Sequence, residues 1–290
     1  MPKSASARPP IVAACLASSL LLALIAMPGP ARAQDERIPN FAPDDHTGWL
    51  KPPGDEFIQP EHGPGPVKSD PAKPYIGRNI QAQETVKIAD LSNPILQPWV
   101  VERMRKSNEE VLAGKVGFTA RSRCWPHGVP GFLLYPVHPI FIIQSPKQVV
   151  MTWGQDFQLR RVWLDVPHGA NPKPSWYGES VGHYENGDTL VVDTIGFNDR
   201  TYVDNYRTPH TTQLHTVERF KLLPGGEKME VTVQVEDPGA FTMPWTAVQR
   251  YTRDRREMEV PLHEMVCAEN NSDHFGQGLA PIPQADKPDF

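Results

Sequence analysis

Residues Leu214–Asp237 read LHTVERFKLLPGGEKMEVTVQVED, and two runs of alternating polarity flank a Gly-Gly pair. Gly225-Gly226 is a two-residue hairpin turn signal. Folding about it sets Leu222 opposite Met229, Phe220 opposite Val231, Glu218 opposite Val233 and Thr216 opposite Val235. The other face pairs Lys221 with Glu230, Arg219 with Thr232 and His215 with Glu236, and is polar except for Val217, as a solvent face should be. Glu218 therefore falls on the apolar face, where an ionised carboxylate is costly unless paired or hydrogen-bonded.

Strand patterns continue on both sides of this hairpin. Candidates are Phe132–Tyr135, Ile140–Gln144, Gln148–Trp153, Gln158–Asp165, Val181–Glu185, Thr189–Ile195, Leu214–Leu223, Lys228–Glu236, Trp245–Tyr251 and Met258–Val266. They are rich in Val, Ile, Phe, Trp and Thr and separated by short turns. No helical crossover is long enough for parallel pairing, so the sheet is expected to be antiparallel. The fold class that follows is mainly β: an antiparallel meander barrel of lipocalin-like size, with one N-terminal helix and an extended Pro-rich arm; a sandwich is the alternative. The helix is expected from an N-cap at Asn93, through Pro94, to a stop at Gly114.

Residues 1–33 have a basic start (Lys3, Arg8), an apolar run Ile11–Met27 and a small-residue site Ala31-Arg32-Ala33, the layout of a secretory signal peptide. Cys15 lies in a short lipoprotein-like sequence and would leave with that segment. Its removal takes three basic residues and no acids, so the formal charge goes from −5 to −8. Such an acidic chain is a poor match for nucleic acid or anionic membrane. The expected organisation is a signal at 1–33, a Pro-rich arm or linker at 34–75 and a helical lead-in at 76–123. The barrel then covers 124–271 and a loose tail 272–290. Phe41, Trp49 and Phe57 are the residues that would pin the arm. Periplasmic or secreted localisation follows, without stable membrane insertion after cleavage. In an oxidising compartment Cys124 and Cys267 most simply form one disulfide. It closes a loop of more than 140 residues, worth about 5 kcal/mol by the chain-entropy argument.

Gly178-Glu179-Ser180-Val181-Gly182 matches G-x-S-x-G, but a nucleophile elbow needs a strand before it and a helix after it, and neither is present. The Asn186-Gly187 turn sets Ser180 opposite Asp193, Gly182 opposite Val191 and Tyr184 opposite Thr189; which face looks inward stays open. If Ser180 and Asp193 look inward they join Glu218 in one lumen, a polar cluster suited to ligand binding or acid–base work. Otherwise they cap strand ends. The chain has ten histidines, and His168, His183, His210 and His215 fall in the densest region. There is no metal-ligand spacing among them, so a metal requires tertiary convergence. Arg161, in Arg160-Arg161-Val-Trp-Leu-Asp165, is a candidate for an anionic ligand group at a barrel mouth, or for scaffolding with Asp165.

The motifs Cys124-x-Pro126-x-Gly128-x-Pro130, Trp176-x-Gly-x-Ser180-x-Gly182, Gly187-Asp-Thr-Leu-Val-Val-Asp-Thr194 and Gly196-Phe-Asn198 occur in this order. Pro209-His210, Val217-Glu-Arg219, Glu236-Asp-Pro238, Pro244-Trp245 and Cys267-x-Glu-Asn270 follow. The set resembles a large family of exported, β-rich bacterial proteins. The resemblance covers Cys124 to Asn271, implies export and one compact β-rich unit, and carries no catalytic assignment. Tyr184 stands where that family's usual Trp would.

Three functions compete. The first is a binding protein holding a small, partly apolar molecule in its lumen among Trp153, Trp163, Trp176, Tyr184 and Trp245, with Arg161 and His168 as polar contacts. The second is a lyase, isomerase or hydrolase using Glu218 with Asp193, Ser180 or a histidine such as His210. The third is an envelope protein acting through its arm. The residues name no cofactor and no metal site.

Overall fold

The computed structural model describes residues 38–44, 47–52, 54, 56–73, 87–115, 117, 119–120, 124–134, 139–153 and 158–254. The segment 1–33, the tail 272–290 and the candidate strand Met258–Val266 lie outside the described residues. Nine strands form a closed barrel in sequence order: β1 Gly48–Leu50, β2 Ile140–Ser145, β3 Gln148–Trp153, β4 Leu159–Leu164, β5 Glu179–Glu185, β6 Thr189–Ile195, β7 His215–Leu222, β8 Lys228–Glu236 and β9 Trp245–Asp254. The chain is thus mainly β. Among the described residues no helix is long and apolar enough to cross a membrane.

The β7–β8 register is the expected one, with Glu218 opposite Val233 and Thr216 opposite Val235. Its turn is wider than two residues: Leu223 N–H donates to Lys228 O, and Gly226 N–H to Leu223 O. Gly225 and Gly226 both have positive φ (92° and 70°), which explains why glycine stands at each. Inward positions alternate as a pleated wall demands, so Phe220, Met229, Val231, Val233 and Val235 are all buried.

The expected all-antiparallel meander needs correction at one seam, because β4 and β5 pair in parallel, with Val162 opposite Ser180 and Leu164 opposite Gly182. The return path is not a helix. Residues 165–178 run back as irregular chain, long enough to bring β5 alongside β4 in the same direction. A second correction concerns the arm. Gly48–Leu50 is a strand that pairs with both β2 and β9 and closes the barrel, so the barrel does not begin at residue 124. Phe41, Trp49 and Phe57 are buried as the pinned-arm reading requires. Gln144 holds the arm through a bond to Pro39 O at 2.8 Å and one from Phe41 N–H at 2.9 Å.

Within the candidate strand Phe132–Tyr135, the described residues 132–134 are not a strand. Gly131–Leu134 is a single 3-10 turn, and Phe132, Leu133 and Leu134 are all buried. A strand would send Leu133 to the opposite face, whereas a helical turn buries the three consecutive apolar side chains. This turn packs into the barrel: the Phe132 ring meets Trp153 at 4.8 Å, and Leu133 O accepts the Tyr251 hydroxyl at 2.7 Å. The helix α1, Pro98–Leu112, starts later than expected, with Gln97 as N-cap and Pro98 at the first position. Asn93 instead spends its side chain on Gly65 O, Pro66 O and Ile95 N–H. Gly114 follows the helix with φ of 84°, as its stop signal implied. Cys124 is among the described residues, whereas its expected partner Cys267 lies outside them.

Gly182 is a tight point of the wall, because a Cβ there would sit 2.6 Å from Val191 O and 2.9 Å from Val162 Cγ1. We expect Gly182→Ala to lower stability by about 1–3 kcal/mol through overpacking. Urea unfolding checks this, and a midpoint equal to that of the wild type would show that the wall yields.

Candidate functional site

Two neighbouring rows cross the inner wall from β5 to β9. One runs Ser180, Thr194, Thr216, Val235, Trp245, and the next runs Gly182, Val192, Glu218, Val233, Ala247. The first is polar at three positions; the second carries one acid among small or apolar residues. Arg160 enters this region from β4. Its Nη2 donates to Glu218 Oε2 at 2.5 Å and to Thr194 Oγ1 at 2.8 Å, and its Nε donates to Ser180 Oγ at 3.2 Å. Ser180 and Thr194 hydroxyls meet at 2.9 Å. The Phe132 ring lies 4.9 Å from the Arg160 guanidinium carbon and covers it.

Both charged side chains are sealed from solvent, at 0% exposure each. Burial pushes the Glu218 carboxyl above the ordinary range, and the charge and hydrogen bond of Arg160 pull part of that back. Burial raises the Tyr251 phenol well above its usual value, and the Glu218 charge adds to that. Three buried polar atoms of the cluster have no hydrogen-bond partner: Arg160 Nη1, Glu218 Oε1 and Thr216 Oγ1. A native interior leaves few such groups unmet, because each costs about 1–3 kcal/mol.

Asp193 is not part of this cluster. The β5–β6 register sets Ser180 opposite Thr194 and Val181 opposite Asp193, one residue away from the expected pairing. The turn takes in Asp188 as a third residue: its backbone oxygen accepts Leu222 N–H at 2.9 Å and its carboxylate accepts the Thr189 hydroxyl at 2.5 Å. That extra residue inverts the faces. Ser180 and Thr194 look in, whereas Asp193 looks out and binds two imidazoles, His168 Nε2 at 3.1 Å and His215 Nε2 at 2.9 Å.

Arg161 also faces outward, exposed, with its guanidinium 5.1 Å from the Trp163 ring. Arg160 is the inward arginine that sequence reasoning missed. Its signal was parity, since Arg160 alternates with the apolar Val162 and Leu164, but Leu159 and Trp163 offered an equally apolar opposite face. The aromatic candidates do not share one chamber. Trp153 and Trp245 are buried, Trp163 is on the outer face, and Trp176 lies against Trp125 in the loops at 5.2 Å. Tyr184 accepts a bond from Gln144 Nε2 at 2.9 Å. Trp245 packs on Phe241 and on Phe57 of the arm. Ser180 lies within strand β5, so Gly178–Gly182 is no nucleophile elbow.

His210 stands in a third place. Its Nδ1–H donates to Thr211 O at 3.0 Å, its Nε2 accepts the Thr201 hydroxyl at 2.8 Å, and Phe197 packs on its ring. None of these partners belongs to the Arg160–Glu218 cluster. Searches against protein-family models, curated proteins and solved structures find no match for this chain.

Burial holds the His210 pKa below its ordinary 6.5. Its sign is clear: the unfolded chain binds the proton first, so His210 contributes stability above about pH 6.5 that is lost as pH falls. Glu218, raised by burial, has the opposite sign between its ordinary and its shifted value. The two are separated by comparing variants. Between pH 7 and pH 5 the stability of His210→Gln should fall less than that of the wild type; parallel curves would mean that His210 takes up its proton in the fold as readily as in the unfolded chain.

Proposed function

We propose that this protein is an exported β-barrel that binds one small, neutral, partly apolar molecule in its interior, against Arg160, Glu218 and Thr216. The supporting observation is the set of three fully buried polar atoms without partners. Arg160 Nη1 offers N–H donors, Glu218 Oε1 offers an acceptor, and Thr216 Oγ1 can serve either way. The formal charges of the pair cancel, so the complementary guest is neutral, with an acceptor beside a donor, as in an amide or a hydroxylated carbonyl compound. Phe132, Phe220, Val192 and Val233 are buried along the same wall or against the guanidinium and suit its apolar remainder. Export and the Cys124–Cys267 bond belong to the same reading.

The enzyme alternative that joins Glu218 to Asp193 loses its geometric basis, because the two carboxylates lie on opposite faces of the wall. The competing reading is structural: Arg160 ties β4 to β5, β6 and β7 through Ser180, Thr194 and Glu218, with no guest needed.

Two experiments separate these readings. Glu218→Gln leaves a buried guanidinium without its counter-charge and should cost about 3–5 kcal/mol in chemical unfolding. Replacing both groups, Arg160→Met with Glu218→Leu, should recover most of that loss. Native mass spectrometry of the wild type purified without denaturant should then reveal a bound small molecule that the folded double variant lacks. Bare polypeptide mass for both proteins overturns the binding reading and leaves the pair a structural device. For the export reading, an unreduced digest of the secreted form should contain a linked Cys124–Cys267 peptide; two free thiols there would reject it.

A further inference from the structure

The outer wall carries a second cluster that the interior does not use. Three elements converge on one atom, Asp193 Oδ1: the chain after β4 brings His168 Nε2 to 3.1 Å, and β7 brings His215 Nε2 to 2.9 Å. The other nitrogen of each imidazole also faces a carboxylate. His168 Nδ1 lies 3.1 Å from Glu179 Oε1, and His215 Nδ1 lies 3.9 Å from Glu236 Oε2. Glu179 is itself fixed, because Gly169 N–H donates to the same Oε1 at 2.7 Å. Register explains the neighbourhood: Val181, Asp193 and Val217 share one outer row, and His215 stands opposite Glu236. The two imidazoles and Asp193 keep 21–40% of their side-chain surface, so an ion can reach them from solvent.

We propose that this cluster is a binding site for a divalent transition ion such as zinc, with His168 Nε2, His215 Nε2 and Asp193 Oδ1 as protein ligands and a fourth position for water. Imidazole and carboxylate are the donors such ions take, and an exposed three-ligand set with an open position is a familiar zinc arrangement. Two of the three donor separations are within a few tenths of an ångström of what an ion needs. Ligand atoms about 2.0–2.1 Å from a tetrahedral centre stand about 3.3 Å apart, and the two nitrogen–oxygen separations here are 3.1 and 2.9 Å. Glu179 completes the pattern at His168, because a partner on Nδ1 holds the proton there and leaves the Nε2 lone pair for the metal. Three acids, Glu179, Asp193 and Glu236, surround two imidazoles and suit a dication.

In the ion-free protein the donors are bonded to one another. Among the described residues no three His, Cys, Asp or Glu side chains are spread about a metal-sized centre. Binding therefore places the ion between Asp193 Oδ1 and the two Nε2 atoms, whose lone pairs must be free of protons to take it. The ion enters and protons leave, so affinity falls as the solution becomes more acidic.

The test is a zinc titration of the full chain made without a polyhistidine tag and freed of metal by a chelator, followed by calorimetry, with cobalt absorption as a second readout of tetrahedral nitrogen and oxygen ligation. One ion per chain is expected. His168→Ala, His215→Ala and Asp193→Asn should each weaken binding at least tenfold, and Glu179→Gln about 10–100-fold by freeing the His168 ring. His183→Ala, whose imidazole pairs with Glu185 elsewhere on the outer face, should leave affinity unchanged. Metal-free melting curves establish that each variant is folded, with His168→Gln and His215→Gln as replacements for any that is not. Absence of saturable binding, or saturable binding that survives loss of both His168 and His215, overturns the proposal.

Discussion

The contact between Arg160 and Glu218 is the constraint around which the interior is arranged. Taking two charges out of water costs several kcal/mol each, and their attraction offsets this only when the geometry is good and further hydrogen bonds are made. The neighbours answer that demand. Ser180 and Thr194 accept from the guanidinium, so three elements beyond β4 are tied to one side chain. Val192 and Val233 flank Glu218 in its row and Gly182 and Ala247 end that row, while Phe132 lies over the guanidinium. Among the described residues Arg160 Nη1 and Glu218 Oε1 still have no hydrogen-bond partner, so the demand is met only in part.

The pleat of one strand then divides the chemistry of the molecule. On β6, Thr194 points to the buried pair and Asp193, its neighbour in sequence, points to two imidazoles on the outer wall. No small motion brings Asp193 to Glu218, because that would require a one-residue slip of β6 against both β5 and β7. Interior and exterior are therefore separate in kind. Inside, a guanidinium and a carboxylate face each other sealed from solvent. Outside, titratable groups remain in reach of water and of ions.

What the sequence revealed follows the same physics. The β7–β8 hairpin was legible because one face is mostly apolar and the other polar except for Val217, so Glu218 stood out and its inward position holds. The β5–β6 hairpin has apolar residues on both faces, with Val181 and Val191 on one and Leu190 and Val192 on the other. Polarity could not fix that register, and the turn residue Asp188 decided it. Strand β4 misled for a related reason: Leu159 and Trp163 are exposed apolar residues, at 54% and 43%, on the face that carries Arg161. The convergence of His168 with His215 is tertiary and leaves no spacing signal, since one comes from irregular chain and the other from a strand. Strand β1 is only three residues long and sits among prolines, below what an alternation pattern can reveal.

That short strand is also what gives the buried pair its meaning. Without Gly48–Leu50, β2 and β9 would each present an open edge, and water would reach the interior between them. Gly48 pairs with Phe141 on one side and Asp254 on the other. Its Cα lies so near Pro139 that an added Cβ would stand 2.6 Å from the proline Cβ. The arm is held in place by its own anchors: Phe41 through Gln144, Trp49 through its indole N–H to Phe41 O at 3.0 Å, and Phe57 against Trp245. Closure excludes water, and exclusion of water raises both the strength of the Arg160–Glu218 attraction and the cost of every polar atom left unmet beside it. The Pro-rich arm, which cannot build a core of its own, thereby sets the dielectric in which the Arg160–Glu218 pair operates.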